Sequence, residues 1–113
     1  MTDDLADRIA DTMFALATSS RVRILRCLRE RPHTVGELTA ATNMAQPAVS
    51  HQLRLLRDHR LVVSERHGRE RVYALQDEHV ASLLDEAERH ATRLGSGRRS
   101  DVHAYPGRAA GAA

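Results

Sequence analysis

The sequence predicts a mainly α-helical domain of about five helices with a two-stranded β-hairpin, in the order of a winged helix-turn-helix. Three observations lead there. Thr34 and Glu37 stand at capping-box spacing and start a short helix. A tight connection then leads to a second helix with Pro47 in its first turn, where a missing N–H costs nothing. After that helix the apolar period changes: Val62, Val63, Val72 and Tyr73 are strand formers, and His67-Gly68 sits where a hairpin turn belongs.

Each element follows from local pattern. Leu5, Ile9, Met13 and Leu16 recur at helical spacing, so residues 3–17 read as a first helix. Ser19 or Ser20 can cap a second, with Val22, Leu25 and Leu28 as its buried stripe and Pro32 just beyond its end. The third helix runs from Thr34 to about Thr42, and Asn43 suits the left-handed residue that closes it. The fourth buries Val49, Leu53 and Leu56. The last helix has Asp77 as its N-cap and ends at Gly95-Ser96-Gly97. Residues 1–94 thus form one domain. Residues 95–113 lack any apolar period and are expected to be a disordered tail.

Composition narrows the function. With one Phe, two Tyr and no Trp, the core must be built from Leu, Val, Ile and Ala, as in small packed helices. Every basic residue is Arg, whose planar fork suits phosphate and guanine, although a G+C-rich genome gives the same bias. The single cysteine, Cys27, excludes an intrachain disulfide and sits in an apolar helical pattern, so it is expected to pack as a small hydrophobe. No apolar run reaches the ~20 residues of a membrane span. The acidic, amphipathic start "MTDDLADRIA" is unlike a secretory signal, so the protein is expected to be cytoplasmic. No nucleophile–base pairing or phosphate-cradling glycine loop points to an enzyme.

The hydrogen-bonding face of the fourth helix points to duplex DNA. Gln46, Ser50, His51 and Arg54 turn away from the Val49/Leu53/Leu56 stripe, toward where a major groove would lie. Gln can pair with adenine and Arg with guanine. Arg66, Arg69 and Arg71 lie on the hairpin, suited to backbone or minor-groove contact.

The run "NMAQPAVSHQLRLLRDHRLVVSERHGRERVYAL" closely resembles the core of the ArsR/SmtB family of bacterial metal-responsive transcription regulators, and the resemblance extends over residues 6–94. It implies a homodimer joined through the first and last helices and bound to a pseudo-palindromic operator, as expected also because one small domain reads few base pairs. One sensing site of the family uses cysteines at the start of the third helix. Here "HTVGEL" supplies none, so soft thiophilic ions lose their ligands. Another site lies on the last helix, as Asp-x-His followed by a His and, three residues later, a further ligand. This chain matches with Asp77, His79 and His90, but carries Arg93 in the fourth place. The segment is most similar to that of the nickel- and cobalt-sensing members, including actinobacterial ones.

Helical geometry constrains that set. His79 and His90 are eleven residues apart, so they lie about 20° apart around the helix and ~16 Å apart along it. One helix cannot chelate an ion with both, since metal–nitrogen bonds are ~2 Å. Two antiparallel copies can, giving two equivalent sites, each with Asp77 and His79 from one chain and the partner's His90. Val80, Leu83, Ala87 and Ala91 would form the seam between the helices. Such nitrogen and oxygen ligands suit Ni(II), Co(II) or Zn(II). Ni(II) or Co(II) can complete an octahedral shell with water, Glu86, or the tail groups Asp101 and His103. Arg93 argues the other way: it would lie beside Asp77 of the partner and can form an interchain salt bridge with no ion at all. His33, His59 and His67 lack ligand spacing and are expected to be solvated.

The predicted function is transcription regulation by a homodimer that binds double-stranded operator DNA and responds to Ni(II), with Co(II) or Zn(II) as other candidates. Metal binding should weaken below about pH 6.5, because the ligands must be neutral imidazoles. Two alternatives stay open: a regulator of the same family that is metal-independent or acts through a co-regulator protein, and an architectural DNA-binding protein. The sign of regulation is not readable from the residues.

Overall fold

A computed structural model describes residues 2–96 of the chain. Its elements are α1 (Asp3–Ala15), α2 (Ser19–Glu30), β1 (His33–Thr34), α3 (Val35–Thr42), α4 (Gln46–Asp58), β2 (Val62–His67), β3 (Glu70–Leu75) and α5 (Glu78–Ser96). The architecture is a winged helix-turn-helix, with one strand more than the sequence predicts. The chain divides into two compact units, Met1–Ala81 and Ser82–Ala113, and α5 begins in the first. No helix among the described residues is long and apolar enough to cross a membrane.

In the first unit each helix begins with chemistry suited to its position. Thr2 caps α1 by accepting from Leu5 N at 3.1 Å, and Asp3 and Asp4 in the first turn complement the helix dipole. The cap of α2 is Thr18, one residue before the expected serines: its Oγ1 accepts from Arg21 N at 3.3 Å. The capping box of α3 is complete. Thr34 Oγ1 accepts from Glu37 N at 3.1 Å, while Glu37 Oε1 accepts from Thr34 N at 2.9 Å. That backbone bond, with further help from Arg31 and His33, holds the Glu37 carboxyl below its ordinary pKa. Asn43 closes α3 in the left-handed region with φ 57°. Pro47 occupies the first turn of α4.

Val49, Leu53 and Leu56 of α4 are buried, together with Ile24, Leu25 and Leu28 of α2, Leu38 of α3, and Leu61 and Val62 at the start of the hairpin. Ile24, rather than Val22, joins Leu25 and Leu28 as the inward residue of α2, and Val22 lies on a half-buried flank. Cys27 is half-buried, and burial, reinforced by Glu30, pushes its thiol pKa up. That suits a packed side chain better than a reactive thiolate.

The sheet has three antiparallel strands in the order β1-β3-β2. The hairpin register runs from Val62 opposite Leu75 to His67 opposite Glu70, so the two central turn residues are Gly68 and Arg69 rather than His67-Gly68. Gly68 takes φ 65°, a conformation that a two-residue hairpin needs and that favours glycine. The short strand β1 pairs His33 with Tyr73 and Thr34 with Val72. It corrects the expectation that His33 is solvated: His33 is buried, and its Nδ1 donates to the Arg31 carbonyl at 2.7 Å. Two residues carry too little periodicity to announce a strand, so the pairing partner decides it. His59 and His67 are exposed, as expected.

Candidate nucleic-acid interface and metal-ligand helix

All seven residues expected to read DNA are exposed. On α4, Gln46, Ser50 and Arg54 succeed one another at four-residue spacing, with His51 beside them, opposite the buried stripe. No side chain caps α4 at Ala45. Its first-turn amides are therefore not taken by a capping oxygen, as suits a helix whose N-terminus approaches phosphates.

The hairpin register gives the wing two unlike faces, a feature the sequence reading did not extract although the alternation of "SERHGRER" carries it. Arg66 stands directly opposite Arg71, and Ser64 opposite Tyr73, on one face. The other face carries Glu65, His67 and Glu70, with His67 Nε2 at 3.2 Å from Glu65 Oε2. Like charges directly opposed across a strand pair are unfavourable in the absence of an anion. Arg71 donates to Ser64 Oγ at 3.0 Å and Arg66 to the Gly68 carbonyl at 3.2 Å, which holds both guanidinium groups on that face. The wing therefore has one positive face, with Arg66 and Arg71, and one that carries the glutamates.

Arg21 is the polar residue that the sequence reading passed over. It is buried on α2, although arginine is ordinarily a surface residue and its place in "SSRVRIL" gives no signal of burial. Its Nε donates to the Ala15 carbonyl at 2.5 Å, one Nη to the Phe14 carbonyl at 3.0 Å and the other to Gln52 Oε1 at 3.2 Å.

At the start of α5, Asp77 caps the helix as expected: its Oδ1 accepts from His79 N at 2.9 Å and Val80 N at 3.3 Å. The structure brings the side chains of Asp77 and His79 together, with His79 Nδ1 3.6 Å from the same Oδ1 and the imidazole almost wholly in solvent. His90 is exposed further along the same helix. Glu86 is engaged with Arg89 one turn on, which also holds the arginine's pKa up. Among the described residues no three His, Cys, Asp or Glu side chains of one chain are grouped to hold a metal ion. Asp101 and His103 lie outside the described residues.

A reading helix, a hairpin with an arginine face and a preceding helix-turn define a DNA-binding winged helix-turn-helix protein. A family model, that of the bacterial regulatory proteins of the arsR family, matches residues 18–64. The HTH-type transcriptional regulator NmtR of Mycobacterium tuberculosis is 52% identical over 102 residues, covering 90% of this chain and 84% of that protein. The solution structure of apo-NmtR superposes with a TM-score of 0.73 at 50% identity, covering 87% of this chain and 82% of that one. A homodimeric winged helix-turn-helix DNA-binding domain from Mycobacterium bovis reaches a TM-score of 0.78 at 27% identity, covering 88% of this chain and 94% of that one. The chain belongs to the arsR family of bacterial regulatory proteins. It is a transcriptional regulator and not an enzyme.

Proposed function

We propose that the protein is a homodimeric, operator-binding regulator whose affinity for DNA is set by Ni(II), or by Co(II) or Zn(II), at two equivalent interchain sites. Each site takes Asp77 and His79 from one protomer and the partner's His90. The observation that carries this reading is the exposed Asp77–His79 pair at the start of α5, with a second exposed histidine eleven residues on along the same helix. One oxygen of Asp77 is spent on the helix cap, so Oδ2 is the atom offered to an ion. The donor set of carboxylate oxygen and imidazole nitrogen fits a borderline divalent ion.

Homodimer formation draws support from the outer face of α1. Leu5, Ile9 and Met13 recur every four residues and remain 38–51% exposed in the single chain. A second copy that covers this face would remove apolar area from water. In the dimer, Gln46, Ser50, His51 and Arg54 of each protomer read one half-site, while Arg66, Arg69 and Arg71 hold the flanking backbone. Residues 1–94 are the domain that does this, with 95–113 as an appended tail. A bound ion supplies a fixed positive charge and a cross-link between the two α5 helices. Asp77 and His79 orient it, and the angle between the two α4 helices follows. Linkage then requires operator DNA to change metal affinity by the same factor.

Arg93 supports a second reading, in which an interchain Asp77–Arg93 salt bridge replaces the ion. One complementation experiment separates the two. His79→Ala and His90→Ala each lose Ni(II) binding alone, but an equimolar mixture with exchanged subunits regains about a quarter of the wild-type sites, because only the mixed dimer keeps one intact pair. Titration calorimetry with Ni(II), Co(II) and Zn(II) on the mixture reads this directly. Full binding by either single variant, or no recovery on mixing, removes the interchain site. A metal-independent regulator would show unchanged operator affinity throughout, and an architectural protein would bind operator and random duplex alike.

A further inference from the structure

The buried guanidinium of Arg21 spans three elements. It belongs to α2, donates twice to the C-terminal carbonyls of α1, and donates once to Gln52 in α4. The α1 end needs such a partner. The last carbonyls of a helix lack intrahelical donors and carry its negative pole, and α1 has no basic residue in its own last turn. Arg21 provides both the donors and the charge from the next helix. Ala15 is the one buried residue of α1 among those described, so this polar clamp is a principal tie between α1 and the rest of its unit.

The α4 end of the clamp falls at an informative place. Gln52 is half-buried, between the wholly buried Leu53 and the exposed His51. It is thus on the flank that separates the core stripe from the DNA-reading face. Its backbone rotates and tilts together with Ser50, His51 and Arg54, because all four share one helix. A hydrogen bond from a guanidinium is stronger and more directional than one between neutral groups. Core packing along Val49, Leu53 and Leu56 sets the depth of α4, but apolar contact is non-directional and leaves rotation about the helix axis weakly specified.

We propose that Arg21 and Gln52 are positioning residues for operator recognition: together they tie the pitch of the DNA-reading helix α4 to the end of the dimer helix α1. This rests on the proposal that α1 lies in the dimer interface. Any change in how two α1 helices meet is then delivered to α4 through one guanidinium.

The test is a double-mutant cycle on operator affinity, using Gln52→Met, which keeps the length and removes the acceptor, and Arg21→Lys, which keeps the charge and removes the fork. It is read in whichever metal state of the wild-type dimer binds operator more tightly, so a failure of metal sensing does not touch it. Gln52→Met should keep the thermal midpoint near wild type yet lose about tenfold in operator affinity, with random-duplex affinity unchanged. Arg21→Lys should lose a similar factor, and the double variant no more than the larger single loss. Sedimentation of each variant checks that the dimer persists. Losses that multiply in the double variant would show Gln52 acting on DNA independently of Arg21, and an unchanged operator affinity in Gln52→Met would equally overturn the proposal.

Discussion

Helices α1 and α4 carry the same apolar rhythm and opposite burial. In α4, Val49, Leu53 and Leu56 are at most 1% exposed, whereas in α1, Leu5, Ile9 and Met13 are 38–51% exposed. Periodicity therefore names the face that wants covering and not the object that covers it. For α4 that object is the same chain: α2, α3 and the base of the hairpin supply it. For α1, in the homodimer proposed above, it is a second copy of the chain. The first kind of face makes a fold, and the second makes an assembly.

The largest effect that sharpens this contrast belongs to α4. Leu53→Ala should destabilise the fold by about 2–5 kcal/mol through lost burial and a residual cavity, measured as a shift in the urea midpoint. A loss below about 1 kcal/mol, closer to what a surface position costs, would mean that the α4 stripe is not the core. Ile9→Asp should act differently. Helical content is retained, but the dimer dissociation constant rises about tenfold or more, equivalent to at least about 1.4 kcal/mol, as read by sedimentation at several protein concentrations. An unchanged dissociation constant would break the comparison, because α1 would then expose its apolar face to no purpose in assembly.

The smallest effect lies between the two helices, at the capping box of α3. Glu37→Gln keeps the bond to Thr34, since glutamine also serves at that position, but loses the attraction of Arg31 and His33. The folded-state carboxyl pKa is lowered, so its contribution is present above the unfolded value and is lost as pH falls through the folded one. The stability gap between wild type and variant should thus be small at neutral pH and close below about pH 4, the ordinary carboxylate range. Thermal unfolding across that range reads it, and a gap that widens toward acid would reverse the assignment.

Local chemistry was legible where a few adjacent residues suffice. Thr34 with Glu37, Asn43, Pro47 and Asp77 each mark a helix boundary through a bond or dihedral made within four residues, and each stands where the spacing predicts. The exposed face of α4, with Gln46, Ser50, His51 and Arg54, was legible for the same reason, since a helix with one buried stripe has its opposite face given. The cap of α2 was misplaced by one residue, because Thr18, Ser19 and Ser20 are chemically equivalent as caps and only the path of the preceding turn selects among them. The approach of Asp77 and His79 was legible too, since a cap and a residue two positions on share the first turn of α5.

What depended on distant parts of the chain could not be read along it. The burial of His33 requires Tyr73, forty residues away, to pair with it. The burial of Arg21 requires the carbonyls of α1 and the amide of Gln52 to converge on one guanidinium. The charge segregation of the wing requires the register that sets Arg66 against Arg71. Periodicity, capping and turn chemistry are short-range and survive in the linear order of residues. Pairing and polar satisfaction of buried groups are properties of neighbours in space, which folding alone brings together.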